Sequence, residues 1–306
     1  MSARQFGRQC NVLVTTDAGA ALDFSMLRMK FAIKKTDAQS PNTASIRIYN
    51  VSKATASRLR KEFTHINLQA GYAPSPGIIF SGNIKQVRLG SENGTDTFVD
   101  IAAADGDQGY NEAIVSATLA AGASQRDQIV ASARPMAPTG AMVVNGSNGS
   151  NVLPRGKVLY GMARDYLRLS AKSLSASWSI QDGVIQFIAL TGVLPDQMVV
   201  LNSKTGLVGT PEQTGDGIKA RCLLNPLLKI GGKVQINEHD IQEAALPDTA
   251  KDATVNKPVA IERDGVYRLY VVEHTGDTHG QDWYSDLTCL GVYAANPLNK
   301  QVKLNG

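Results

Sequence analysis

A chain of 306 residues exceeds the usual size of one domain, so it is expected to divide into two or more units, each with its own core. Its 43% apolar and 19% charged residues and 28 glycines exclude a disordered chain and suit packed strands joined by turns. A net charge of +4 is too small to argue for a nucleic-acid binder. Up to Ala70, 11 Lys and Arg face 4 Asp and Glu, an excess of +7 that leaves −3 for the remainder; it reads as a solvated basic face sooner than as a dock for an anionic partner. Cys10, Cys222 and Cys289 are odd in number, far apart and without a CxxC pair, which excludes a disulfide scaffold or zinc ribbon and predicts reduced, buried thiols. Residues 1–14 lack the apolar stretch of a signal peptide and no run of about 18 apolar residues occurs, so the chain is expected to be made in the cytosol and to stay soluble.

From the N-terminus, residues 27–34 alternate strictly, with Leu27, Met29, Phe31 and Ile33 on one side and Arg28, Lys30, Ala32 and Lys34 on the other, which predicts a half-buried strand. Ile46 and Ile48 alternate with Arg47 and Tyr49 in a second strand. Ser52 is placed to cap a short helix over residues 53–61. Ile66, Leu68 and Ala70 restart period two, and residues 82–103 read as a long hairpin turning at residues 90–94. Leu27, Met29, Phe31, Ile46 and Ile48 are expected to face one barrel-like core.

After Asp105 the pattern changes. Ser124 is expected to cap a helix over residues 125–133, and residues 157–171 carry Val158, Met162, Tyr166 and Leu169 at helical spacing. Residues 175–180 and 184–190 flank Asp182-Gly183, a dipeptide suited to a hairpin turn. Beyond Pro195, strands are predicted at residues 198–201, 217–224, 233–236, 257–261, 267–273 and 283–290. The predicted fold is therefore mainly β: a strand-rich unit (residues 1–104), an α+β insertion (105–195) and a second strand-rich unit (196–306), the outer two related barrels.

The search for chemistry is negative. The sequence has no Gly-x-Ser-x-Gly elbow, His-Glu-x-x-His helix, EF-hand loop or phosphate loop; Gly156-Lys157 and Gly232-Lys233 are each followed by Val and lack the upstream glycine. Glu238, His239 and Asp240 with Glu273, His274, Asp277 and His279 are the one group that suggests a metal, but Gly276 and Gly280 make a polar surface loop the preferred reading. Asp105 and Asp107 read as turn formers or helix caps at a domain edge. Trp178, Trp283 and Tyr284 sit singly in strand contexts and are assigned to packing instead of to base or sugar stacking. No catalytic residue, metal or cofactor is expected.

Two stretches carry a family likeness. The first runs Asn42-Thr43-Ala44-Ser45-Ile46-Arg47-Ile48-Tyr49-Asn50-Val51-Ser52, then Leu68-Gln69-Ala70-Gly71-Tyr72, then Ile79-Phe80-Ser81-Gly82-Asn83-Ile84. The second runs Thr205-Gly206-Leu207-Val208-Gly209-Thr210-Pro211, then Leu223-Leu224-Asn225-Pro226-Leu227-Leu228-Lys229-Ile230-Gly231. In this order the segments resemble the baseplate hub proteins of contractile-tail bacteriophages, with Asn42, Ile46, Ile48, Tyr49, Asn50, Gly71, Gly82, Gly206, Pro211, Leu224, Asn225 and Pro226 as the matching structural positions. The resemblance implies two tail-tube-like barrels per chain and a homotrimeric ring in the virion's tail baseplate, assembled in the host cytoplasm. Its implied partners are the tail tube protein, the central spike protein and other baseplate proteins, with tape measure protein and DNA passing in transit and no stable membrane binding. Weighed against it are a hexameric tail tube component, a tail-tip cell-wall hydrolase and a DNA-binding protein.

Overall fold

The computed structural model describes residues 7–73, 76–136, 143–145, 152–215, 217–237, 241–243 and 265–292. The strand expected at residues 257–261 lies outside them. Seven strands open the chain: β1 (Arg8–Thr15), β2 (Ala21–Asp23), β3 (Met29–Thr36), β4 (Thr43–Tyr49), β5 (His65–Tyr72), β6 (Gly77–Glu92) and β7 (Asp96–Ala104), with helix α1 (Lys53–Glu62) between β4 and β5. Period-two sequence becomes period-two burial: on β3, Met29, Phe31 and Ile33 turn inward while Lys30, Ala32 and Lys34 stay exposed. Ile46 and Ile48 join them in one core, with Leu27 at its margin, as the alternation predicts. The Ser52 side chain accepts the Thr55 amide and starts α1 at the expected place.

The middle segment contains α2 (Asp107–Glu112), β8 (Ile114–Leu119), α3 (Gln125–Ala133), β9 (Val143–Asn145), β10 (Lys157–Met162), α4 (Ala163–Ser173), β11 (Ala176–Gln181) and β12 (Val184–Ala189). Ser124 and Asp127 form a reciprocal capping box on α3. Asp182 and Gly183 take the positive φ values, 53° and 80°, that join β11 to β12. The helix expected over residues 157–171 is corrected at its start, because residues 157–162 are strand β10, paired antiparallel with β8. Val158 and Tyr160 face solvent and Leu159 faces inward, a period-two pattern that residues at helical spacing disguised.

Among the described residues, the remaining strands are β13 (Val199–Leu201), β14 (Leu207–Thr214), β15 (Gly217–Leu223), β16 (Lys233–Ile236), β17 (Gln242–Glu243), β18 (Val266–Asp277) and β19 (Trp283–Gly291). One sheet runs β17-β14-β15-β19-β18-β3-β4-β7-β6-β5-β1-β2, with β16 also on β18 and β13 on β16. The first and last blocks are thus fused where β18 pairs with β3. Each block curls about its own apolar cluster, and the middle segment has a third built on Trp178, Phe187 and Leu167. The fold is mainly β, with two barrel-like units flanking an α+β segment.

The two strand-rich units share one wiring. The order β3-β4-β7-β6-β5 matches β14-β15-β19-β18-β16 in chain sequence, and every neighbouring pair in both is antiparallel. A sixth strand, β1 or β13, extends each at the same place, antiparallel in the first unit and parallel in the second.

Candidate functional site

Groups that suggested metal chemistry are held in structural contacts. Glu273 pairs with Lys34 at 2.7 Å, and Asp277 with Arg28 at 3.0 Å. His279 lies past the end of β18, and its amide donates to Asp277 Oδ1. His274 contradicts the surface-loop expectation, because β18 continues to Asp277 and carries it into the interior, where its Nδ1 lies 2.8 Å from Ser285 Oγ. Burial, with a smaller contribution from the Lys35 charge, pushes its pKa down to about 3 and keeps the ring neutral. Glu238, His239 and Asp240 lie outside the described residues. Among the described residues, no three His, Cys, Asp or Glu side chains cluster in a way that could hold a metal ion.

Trp178 and Trp283 are fully buried core residues, and Tyr284 is half-buried beneath Arg221. All three cysteines are buried and unpaired, and desolvation raises the pKa of Cys10 and Cys222 to about 12. We expect no thiol to react with a water-soluble disulfide reagent in the native protein, and three to react in denaturant. Rapid native reaction of any one would place that residue at the surface.

Much of the N-terminal basic excess is used inside the molecule. Arg28, Lys30, Lys34 and Lys35 pair with acids of the middle and last blocks, and Arg47 grips Asp100 with two hydrogen bonds of 2.7 and 3.1 Å.

The residues that carry the family likeness converge from distant parts of the chain. Ile46 and Ile48 line the first core, and Leu224 from the last block enters that same core. Tyr49 donates its hydroxyl proton to Glu92, and Asn50 sits at φ 57° with its amide bonded to Thr97 O. Asn225 donates its amide to Ser285 Oγ and accepts the Leu227 amide, which sets Pro226 against Gly71 and Gly77. A Cβ on Gly77 would stand 2.6 Å from Pro226 Cβ, so the two likeness segments touch where glycine leaves room. At Gly82 a Cβ would come within 2.7 Å of Ala104 O. Gly206, at φ 100°, accepts the Leu223 amide, and Pro211 is buried on β14.

A polar junction ties the three cores together. Asn42 is buried; its Oδ1 accepts the Thr36 amide, while its Nδ2 donates to Ile180 O and Gln181 Oε1. Asp37, just past β3, contacts Arg268 of β18 and accepts the Ser177 hydroxyl of β11 at 2.8 Å, so each block supplies one member. Arg268 also donates to the carbonyls of Ala189 and Leu190. Lys35 clasps both carboxylate oxygens of Asp182 at 2.6 and 2.7 Å. Asp105 sits at a block edge but caps no helix: its carboxylate accepts the amides of Asp182 and Gly183, in the turn between β11 and β12, at 2.5 and 2.8 Å. Neither hydrophobic periodicity nor any motif exposed this network, because its members come from separate segments.

Burial first, and the Asp182 charge second, push the Asp105 pKa up to about 6. An acid that holds its proton more tightly when folded stabilises the native state at low pH. Its contribution is complete below the unfolded value of about 4 and is lost as pH rises through 6. Urea midpoints are therefore expected to fall between pH 4 and 7 more steeply in the parent chain than in Asp105→Asn. Equal slopes would remove Asp105 as the source.

No family model matches the sequence, and neither does any curated protein. Solved structures match by fold. The tail protein from Neisseria meningitidis MC58 aligns with a TM-score of 0.57 at 10% identity, covering 93% of this chain and 96% of that one. The 43 kDa tail protein of prophage MuSo2 from Shewanella oneidensis aligns at 0.58 and 6%, covering 94% and 99%. The chain shares the fold of these tail proteins. The E. coli c3393 protein also aligns, at 0.53 and 11%, covering 88% of this chain and 76% of that one. It is a component of the type VI secretion system, with structural similarity to the T4 bacteriophage tail proteins gp27 and gp5.

Proposed function

We propose that this chain is a non-enzymatic structural component of a contractile phage-type tail, the baseplate hub between tail tube and central spike. The observation that carries the reading is one chain holding two barrel-like units of the same strand wiring, in a fold that aligns nearly end to end with tail proteins. Three such chains supply six barrel-like units to a six-fold tube while keeping three-fold symmetry for a spike. The working unit is a homotrimeric ring in the virion baseplate, divided per chain at about residues 104 and 195. It contacts the tube, spike and other baseplate proteins and lets tape measure protein and DNA through its lumen.

Several features support a mechanical role. Among the described residues, the acids and histidines that suggested chemistry are engaged in packing, ion pairs or caps, and the basic N-terminal strands are largely neutralised by internal partners. Among the described residues, no helix is long and apolar enough to cross a membrane.

Reconstruction of the assembled tail tests the proposal. Three copies at the junction of tube and spike are expected. Six copies per ring would make this a tube component, and any position away from that junction would exclude the hub reading.

A further inference from the structure

The cations of the first block fall into two groups. Arg28, Lys30, Lys34, Lys35 and Arg47 lie on or beside β3 and β4, and each meets a carboxylate. Lys53, Arg58, Arg60 and Lys61 lie on α1, whose single acid, Glu62, is held by Arg58 at 3.2 Å. Lys53, Arg60 and Lys61 are exposed, and among the described residues they have no ion pair and no side-chain hydrogen bond. The helix puts these three on one face. Lys53, Ser57, Arg60 and Lys61 follow at i, i+4, i+7 and i+8 and line a stripe about 12 Å long, with the exposed Ala54 beside it. On the other side Ala56 and Leu59 are buried in the first core and fix the rotation of the helix. Glu62 and Arg58 sit on the flank, so the stripe itself carries no acid.

Helix stability does not account for this arrangement. Arg60 and Lys61 in the last turn suit the helix dipole, but Lys53 is the first helical residue, beside amides that already carry partial positive charge, and the first turn has no acid to offset it. Nor does the barrel-like unit require it. In the second unit, which repeats the wiring, the step from β15 to β16 takes the place of β4–α1–β5; it runs through residues 224–232 without a helix and with Lys229 as its one cation.

We infer that this face of α1 docks an acidic helix of another protein, with carboxylates opposite Lys53, Arg60 and Lys61. Charge complementarity sets the sign of the partner, since three cations on one face with no acid among them attract a surface of opposite charge and repel a like one. Spacing sets its form: carboxylates at i, i+4, i+7 and i+8 of a partner helix repeat over the same length, and the small side chains of Ala54 and Ser57 let two helices approach to the usual 8–10 Å. Duplex DNA fits less well. Three cations neutralise three phosphates, against the roughly six to ten contacts over which duplex binders spread their affinity, and the stripe offers no aromatic ring for stacking. The surface belongs to the single chain, so the inference holds whatever the copy number of the ring.

Two labelled peptides test this on the full chain: an alanine-based helix with glutamates at i, i+4, i+7 and i+8 on one face, and a helix of the same composition with its glutamates dispersed around the axis. By fluorescence anisotropy at low salt, the striped peptide is expected to bind at least about tenfold tighter than the dispersed one, an advantage that shrinks as salt rises. Lys53→Glu/Lys61→Glu is expected to abolish that preference. Lys204→Glu/Lys229→Glu, the same charge change at exposed positions away from α1, is expected to keep it. Lys53→Glu alone is expected to raise the thermal midpoint, because an acid then replaces a cation at the helix start, while it weakens striped-peptide binding about fivefold. Binding and stability therefore move in opposite directions, which a purely structural lysine would not produce. Equal affinity for the two peptides, loss of the preference in the control variant, or a lowered midpoint in Lys53→Glu would each overturn the inference. A short DNA duplex bound more tightly than the striped peptide and released by Lys53→Glu/Lys61→Glu would overturn it in favour of nucleic acid. Self-association of the parent chain that this variant abolishes, with the striped peptide ignored, would overturn it in favour of a second copy.

Discussion

Phe31→Ala is expected to reduce unfolding free energy by about 3 to 5 kcal/mol, through lost burial plus the cavity left behind. Phe31 is 3% exposed, and its ring meets Trp283 edge-on, with centroids 5.5 Å apart and planes at 73°. Gly276 on β18 makes the room, since a Cβ there would stand 2.3 Å from Phe31 Cζ. The ring therefore fills the seam between the two strand-rich units, with Phe31 contributed by β3 and Trp283 by β19. Such a seam has little freedom to collapse around a cavity, because backbone pairing fixes β3 against β18. Urea unfolding of parent and variant measures the loss. A change below about 0.5 kcal/mol would contradict the burial of Phe31 and break the register of β3.

The second large effect is expected at the Asp37–Arg268 contact. Arg268→Met should cost about 3 to 5 kcal/mol, because it leaves a buried carboxylate without its cation. Burial already raises the Asp37 pKa, against the opposing pull of Arg268 and the Ser177 hydrogen bond, which shows how far its charged form depends on those partners. The double variant Asp37→Leu/Arg268→Met should regain much of the loss, since no lone charge remains. Recovery should be partial, because the carbonyls of Ala189 and Leu190 also lose the Arg268 donor. A double-mutant cycle by urea unfolding reads the coupling directly. Strict additivity of the two single changes would mean that the pair does not hold the three blocks together.

Both sites show where sequence reasoning reached and where it stopped. The inward set on β3 and β4, the Ser52 and Ser124 caps and the Asp182-Gly183 turn are local: alternation, a hydroxyl before a helix and a dipeptide that tolerates positive φ act within a few residues. Strand β10 is not legible in the sequence, since Val158 and Met162, four apart, fit either period until pairing with β8 fixes the choice. His274 was misread for a related reason: flanking glycines suggest a loop, but Gly276 is there to admit the Phe31 ring.

What the sequence determined by itself was therefore the inward face of the early strands, the helix starts at Ser52 and Ser124 and the mainly β character of the chain. Tertiary structure alone decided that the outer blocks form one sheet through β18 and β3, that Asp37, Ser177 and Arg268 meet, and that the two blocks share one strand wiring. Those features depend on register between segments far apart in the chain, and register is set by which edges and faces are left to cover once every block has closed about its core.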